Sequence, residues 1–290
     1  METEHALATA DGARVAYRRW HAPSADHRAP LVLMHGAASN MTRWSEFVET
    51  SALRATRDLI RLDLRGHGQS VWRGPIGLEI WADDLAALLR QEAITAAIVG
   101  GHCLGANIAT VFAARHPQLT AGLVLVEPML RPALTGALRR LRPFASPLRF
   151  VTAAIRGFNR LGVYRRRLEA LDLRALDREF RALLARPGGS ELLVRRYSSV
   201  RHDLKIMPTA NFLQDLIEVM RPLPLDRAQA PFLALLSTGR AFADPDITRE
   251  ALAARPNGTL QMLDAKHWIP TEQPDAMRDA IDAWCRGLAS

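Results

Sequence analysis

Short apolar runs separated by stretches of helical period occupy the first half of the chain. Runs at 14–20, 31–34, 59–62, 97–100 and 123–126 are rich in β-branched or apolar residues and predict strands. Between them, 78–90 sets Leu78, Trp81, Leu85, Leu88 and Leu89 at helical spacing, which predicts a helix with one apolar face for packing on a sheet. A second helix is predicted over 104–115, where His116-Pro117 ends it. The alternation stops at Met129. From there to about Pro224 helical patterns follow one another, broken at Arg142-Pro143, Ser146-Pro147 and Pro187-Gly188-Gly189. Strand patterns return at 232–236 and 260–263, and a helix over 274–288 closes the chain. This order predicts the α/β class: a mostly parallel sheet flanked by helices, with residues 1–128 and 225–290 forming the core around a helical insertion at 129–224.

Composition narrows the class further. Hydrophobic residues at 48% and charged residues at 23% of 290 match a globular chain with a sizeable core and exclude a disordered one. No run approaches the roughly 18 apolar residues of a membrane span, and 1–10 carries two glutamates and no long apolar stretch, so a soluble cytoplasmic protein without a transmembrane segment is expected. The two cysteines, Cys103 and Cys285, are too few for a disulfide framework or a metal cluster. Neither a phosphate-binding loop nor a dinucleotide fingerprint is found, since Arg65-Gly66-His67-Gly68 lacks the required strand, glycine spacing and ribose-binding acid. No cofactor and no metal are therefore expected.

Chemistry concentrates at the end of the strand predicted over 97–100. Gly101-His102-Cys103-Leu104-Gly105 joins that strand to a helix and reads as G-x-S-x-G with cysteine in place of serine. On such a strained turn, the positions two away on each side of the nucleophile must be very small, and Gly101 and Gly105 meet that need. Two further segments accompany it: His35-Gly36-Ala37-Ala38 after an early strand, and Asp63-Leu64-Arg65-Gly66-His67-Gly68-Gln69-Ser70.

With these segments the chain resembles a lidded member of the α/β-hydrolase superfamily, with a cysteine nucleophile, over nearly all of its length outside the insertion. The resemblance implies an α/β-hydrolase fold with the helical insertion as cap, and a triad in the order nucleophile, acid, histidine. His267, just beyond the last predicted strand, takes the base position. Asp244, after the strand at 232–236, is the first choice for the acid; Glu127, ending the strand at 123–126, is the alternative and Asp246 a third candidate. The backbone N–H groups of Ala37 and Leu104 are the expected oxyanion hole. Other histidines, His102, His116 and His202 among them, are expected on the surface or in packing roles, and Cys285 beside Trp284 as a core thiol. The Gly-x-Cys-Leu-Gly core is also similar to dienelactone hydrolase, which lacks a long helical cap, so only the cysteine's role is carried over.

A thiol at a helix start beside an imidazolium is expected as a thiolate that attacks an ester, thioester or lactone carbonyl directly. The resulting acyl-cysteine is a thioester, open to amines and thiols as well as water, so an acyltransferase or cyclase stands beside the hydrolase reading. A non-catalytic small-molecule receptor on the same fold is a third reading, which the intact order of cysteine, acid and histidine disfavours. Apolar residues of the insertion, including Leu130, Leu134, Leu138, Leu141, Phe144, Leu148, Phe150, Ile155 and Phe158, are expected to roof the pocket and suit an acyl chain; Trp44 and Trp268 are candidate lining residues.

Charge adds one feature. Residues 131–202 hold 17 arginines and five acids, a net +12 that leaves −4 for the rest of the chain. Three readings are open: a solvated arginine-rich face, a docking surface for an acidic acyl carrier protein or coenzyme A thioester, and contact with an anionic membrane. Nucleic acid is disfavoured, because no recognition motif is found and the arginines are not interleaved with stacking aromatics.

Overall fold

The computed structural model describes residues 1–24, 28–184 and 188–288. Its strands are β1 (Glu2–Ala8), β2 (Arg14–Trp20), β3 (Leu31–Met34), β4 (Leu59–Leu62), β5 (Ala97–His102), β6 (Thr120–Val126), β7 (Phe232–Ser237) and β8 (Gly258–Leu263). They form one sheet in the order β1-β2-β4-β3-β5-β6-β7-β8. The β1–β2 and β2–β4 pairs are antiparallel, and every pair from β4 to β8 is parallel. The predicted mostly parallel sheet is thus present, with one strand more than the pattern gave. β1 lies at the edge, paired only with β2 and half exposed, so its residues carry little of the apolar signal that marks a strand.

Both faces of the central strands are covered, which is why β3 and β4 are buried along their whole length. Alternate side chains feed two apolar layers. Val32 and Met34 face helices α2 (Leu78–Gln91) and α3 (Leu104–Arg115), whereas Leu31 and Leu33 face α1 (Ser45–Thr50) and the last helix, Pro274–Gly287. Arg61 breaks the apolar run of β4. It stays buried because Glu2 takes two of its donors at 2.8 Å each and Ser45 and the Met41 carbonyl take another.

Between β6 and β7 run α4 (Gly136–Leu141), α5 (Ala145–Arg160), α6 (Leu173–Leu184), α7 (Gly189–Tyr197), α8 (Val200–Ile206) and α9 (Thr209–Val219). The stretch predicted as a helical insertion is helical. Of the predicted break at Pro187-Gly188-Gly189, Pro187 lies outside the described residues; Gly188 has φ +78° and Gly189 opens α7. After β7 come α10 (Pro245–Ala253), α11 (Ile269–Glu272) and α12 (Pro274–Gly287). A buried ion pair fastens α6 to the sheet side: Arg43 donates to both carboxylate oxygens of Asp177 at 2.8 Å and to Thr271 at 2.6 Å.

Candidate active site

Cys103 stands between β5 and α3 with φ +54°, ψ −113°, a conformation that L-residues rarely adopt. The neighbours explain how the turn is tolerated. A Cβ on Gly101 would lie 2.6 Å from the Met34 carbonyl and the Gly105 backbone, and one on Gly105 would lie 2.5 Å from the Met34 carbonyl. Only glycine lets strand and helix meet this closely. The Cys103 N–H donates to the Val126 carbonyl at 2.9 Å, tying the turn to β6, and the side chain lines a cavity of about 310 Å³.

His267 follows β8 in the segment that leads into α11. Its ring is buried, with Glu127 on Nδ1 at 3.0 Å, and it lines the same cavity as Cys103. Burial alone would depress the imidazole; its contacts with Cys103 and Glu127 outweigh that and push its pKa up to about 10. Glu127 itself sits at φ +53° directly after β6, with its N–H bonded to the Leu235 carbonyl at 2.9 Å and its other carboxylate oxygen accepting from the Ser237 N–H.

Asp244, the first choice for the acid, is elsewhere. It caps α10, accepting from the Asp246 N–H at 3.0 Å, and pairs with Arg240. Asp246 is exposed and pairs with Arg240 and Arg249. The partner of His267 is therefore Glu127, the alternative. A carboxylate directly after β6 can reach a ring beside Cys103, whereas the loop after β7 turns its aspartate back onto its own helix.

Two residues with no motif of their own complete the arrangement. Glu272 accepts from three successive backbone N–H groups, those of Lys266, His267 and Trp268, at 2.9–3.2 Å, which fixes the backbone carrying the imidazole. His102 Nε2 bonds the His267 carbonyl at 3.0 Å, and burial together with the neighbouring His267 holds His102 well below the usual histidine range. His102 therefore does more than pack, and a donor beside Cys103 was its only signal in the sequence. His116 contacts Asp83 near the surface, while His202 lines the cavity with a buried Nε2 that has no partner among the described residues.

The loop after β3 borders the same cavity with Gly36, Ala37 and Ala38. His35 Nε2 accepts from the Leu64 N–H at 3.1 Å, so its Nδ1 carries the proton and donates to the Gly36 carbonyl at 2.8 Å. In a trans peptide the Ala37 N–H then points opposite to that carbonyl, away from His35. Ala38 adopts φ +46°, and its N–H is held by Asp215 of α9, which also accepts from His67 at 2.8 Å. Leu104 opens α3, where an N–H has no carbonyl one turn back to bond.

Of the two candidate lining tryptophans, Trp268 borders the cavity and Trp44 does not. The Trp44 indole donates to the Met34 carbonyl at 3.0 Å and its ring packs edge-on against Phe47 in the layer beneath β3. The remaining walls are mostly apolar, with Leu138 and Leu141 of α4, Leu173 and Leu176 of α6 and Phe212 and Leu216 of α9. Phe144, Phe150 and Phe158, expected to roof the pocket, face solvent instead. Part of the lining is polar: Asp203, raised to about 7 by burial, with Arg196 opposing and Asp215 reinforcing the shift, borders the cavity along with Arg196 and His202. Cys285 is buried in α12, where burial pushes its thiol up to about 12 despite Arg57.

A family model described as "Alpha/beta hydrolase family" matches residues 31–280. Among curated proteins, the chain is 24% identical to a "Probable alcohol acetyltransferase" of Saccharomyces cerevisiae, covering 88% of this chain and 76% of that protein. It is 20% identical to "sn-1-specific diacylglycerol lipase ABHD11" of Mus musculus, over 88% of this chain and 80% of the other. Among solved structures, a thermophilic esterase from Thermogutta terrifontis superimposes with TM-score 0.68 at 22% identity over 100% of both chains. The enol-lactonase from Burkholderia xenovorans gives TM-score 0.68 at 20% identity over 97% of this chain and 100% of that one.

Proposed function

The chain belongs to the alpha/beta hydrolase family, and from that premise we propose that it is an acyl-enzyme catalyst acting on ester, thioester or lactone bonds through Cys103, with His267 as base and acid and Glu127 as its carboxylate partner. The observation that carries this reading is the buried imidazole of His267, hydrogen-bonded to Glu127 and lining one cavity with a cysteine held on a strained turn.

In this mechanism His267 takes the thiol proton, and Cys103 sulfur bonds to the substrate carbonyl carbon. The charge that develops on oxygen meets the N–H groups of Leu104 and Ala37. As the carbonyl reforms, the carbon–oxygen or carbon–sulfur bond to the leaving group breaks, and that group departs with the proton from His267. A second acceptor then attacks the acyl-cysteine while His267 removes its proton, releasing product and the free thiol. Residues 129–224 act as the cap, closing a mostly apolar cavity suited to an acyl chain or hydrophobic ring.

Acyl transfer is the second reading, favoured by the reactivity of a thioester toward nucleophiles other than water in a mostly apolar cavity. Intact mass after incubation with activated esters and acyl thioesters tests both. Wild type is expected to gain one acyl mass and Cys103→Ala none; faster loss of the adduct on adding alcohols or amines marks a transferase, and loss to water alone a hydrolase. A protein that binds these compounds and never forms the adduct overturns the proposal.

A further inference from the structure

The cap carries an apolar surface that its own packing does not use. α5 lies against α9, with Thr152 buried and Leu148 and Ile155 half-buried, while Phe150, Val151, Ala154, Phe158 and Leu161 recur three or four residues apart on a second, solvent-facing stripe. Phe150 is 78% exposed, Phe158 58% and Leu161 79%, with Phe144 at 57% just ahead of them. Every exposed phenylalanine, tyrosine or tryptophan side chain among the described residues lies between positions 144 and 164, so the patch is a concentrated feature and not scattered surface.

Its charge is equally one-sided. Residues 131–168 contain ten arginines and no acid. Arg139, Arg140 and Arg142 before the stripe and Arg165, Arg166 and Arg167 after it enter no ion pair among the described residues, whereas in α6 Arg174 and Arg181 are paired with Glu46. A second copy would meet this face with the same positive charge and be repelled. An acidic protein would answer the arginines but offer nothing in particular to exposed phenylalanines.

We propose that this face of the cap docks on an anionic lipid surface, with Phe150, Phe158 and Leu161 entering the boundary between headgroups and acyl chains and the arginines at both ends meeting the headgroups. The helix would lie in the interface and not cross it; no helix among the described residues is long and apolar enough to span a membrane. α4, whose Leu138 and Leu141 line the cavity, directly precedes α5, so docking would bring the cavity wall close to the membrane. The proposal is independent of the catalytic reading, because it is tested without turnover.

The experiment is flotation of the full chain with vesicles of phosphatidylcholine alone and of phosphatidylcholine mixed with phosphatidylglycerol, at low and high salt. Wild type is expected to float with the mixed vesicles and not with phosphatidylcholine, and less so at high salt. Phe150→Ser combined with Phe158→Ser is expected to weaken partitioning at least about tenfold, and Arg165→Gln with Arg166→Gln and Arg167→Gln to abolish the preference for phosphatidylglycerol. Both variants change exposed side chains only, and unchanged thermal melts would show that folding is intact. In a Phe150→Trp variant, the added fluorescence should be quenched by brominated acyl chains in the mixed vesicles. Failure to float, equal flotation with both lipids, indifference to the double phenylalanine change, or capture of an acidic acyl carrier protein in place of the vesicles would each overturn the proposal.

Discussion

At the scale of single residues, the proposed mechanism turns on the carboxylate beside the imidazole. Glu127→Gln keeps shape and removes charge. It is expected to slow acylation by about 10³–10⁴, as loss of the carboxylate does in serine triads. Asp244→Asn, which leaves a competent helix cap, is expected to keep the rate within about a factor of two. Stopped-flow acylation of the three proteins separates the two acids. His267 also gives a pH signature. Its folded pKa, about 10, lies above the ordinary histidine value of 6.5, so its stabilising contribution is fully present below about 6.5 and is lost as pH rises through about 10. The stability gap between wild type and His267→Gln should therefore narrow over that window in urea unfolding, and a gap that widened would refute the assignment.

At the scale of elements, the turn from β5 into α3 is a close contact of two backbones, and the price is paid in glycine. With Met34 carbonyl oxygen 2.5 Å from a Cβ on residue 105, Gly105→Ala is expected to cost about 1–3 kcal/mol or more and to abolish acylation by displacing Cys103. Urea midpoints and adduct formation measure the two effects. The segment from β8 into α11 depends instead on hydrogen bonds. Glu272→Ala removes the acceptor shared by three N–H groups, so it should lower the acylation rate while Glu272→Gln restores part of it. An unchanged rate in the alanine variant would show that His267 is held by other contacts.

At the scale of the whole molecule, one link between the helical stretch after β6 and the sheet side is the pair Arg43 and Asp177, both nearly inaccessible and also tied to Thr271. Arg43→Met strands a buried carboxylate and is expected to cost about 3–5 kcal/mol. Adding Asp177→Leu should recover much of that loss, and a double-mutant cycle in urea checks it. The same scale explains the outer face of α5: once α9 covers one side of the helix, the phenylalanines on the other are left exposed among the described residues.

The layered α/β arrangement was legible from the chain itself, because apolar period and glycine placement are local properties. The pattern gave seven of the strands, the helical run between β6 and β7, and Gly101-His102-Cys103-Leu104-Gly105, whose two glycines announce a crowded turn. It missed β1, whose half-exposed edge position leaves little apolar contrast. What local order does not encode is which distant groups meet. Glu127 and Asp244 both follow strands that lie side by side in the sheet, and only their directions of exit separate them: one carboxylate turns to His267, the other returns to its own helix. Trp44 and Phe150 differ in the same way, since an apolar side chain carries no mark of whether the folded chain will cover it, use it as a cavity wall or leave it facing water. Those outcomes were fixed by packing between segments far apart in the sequence.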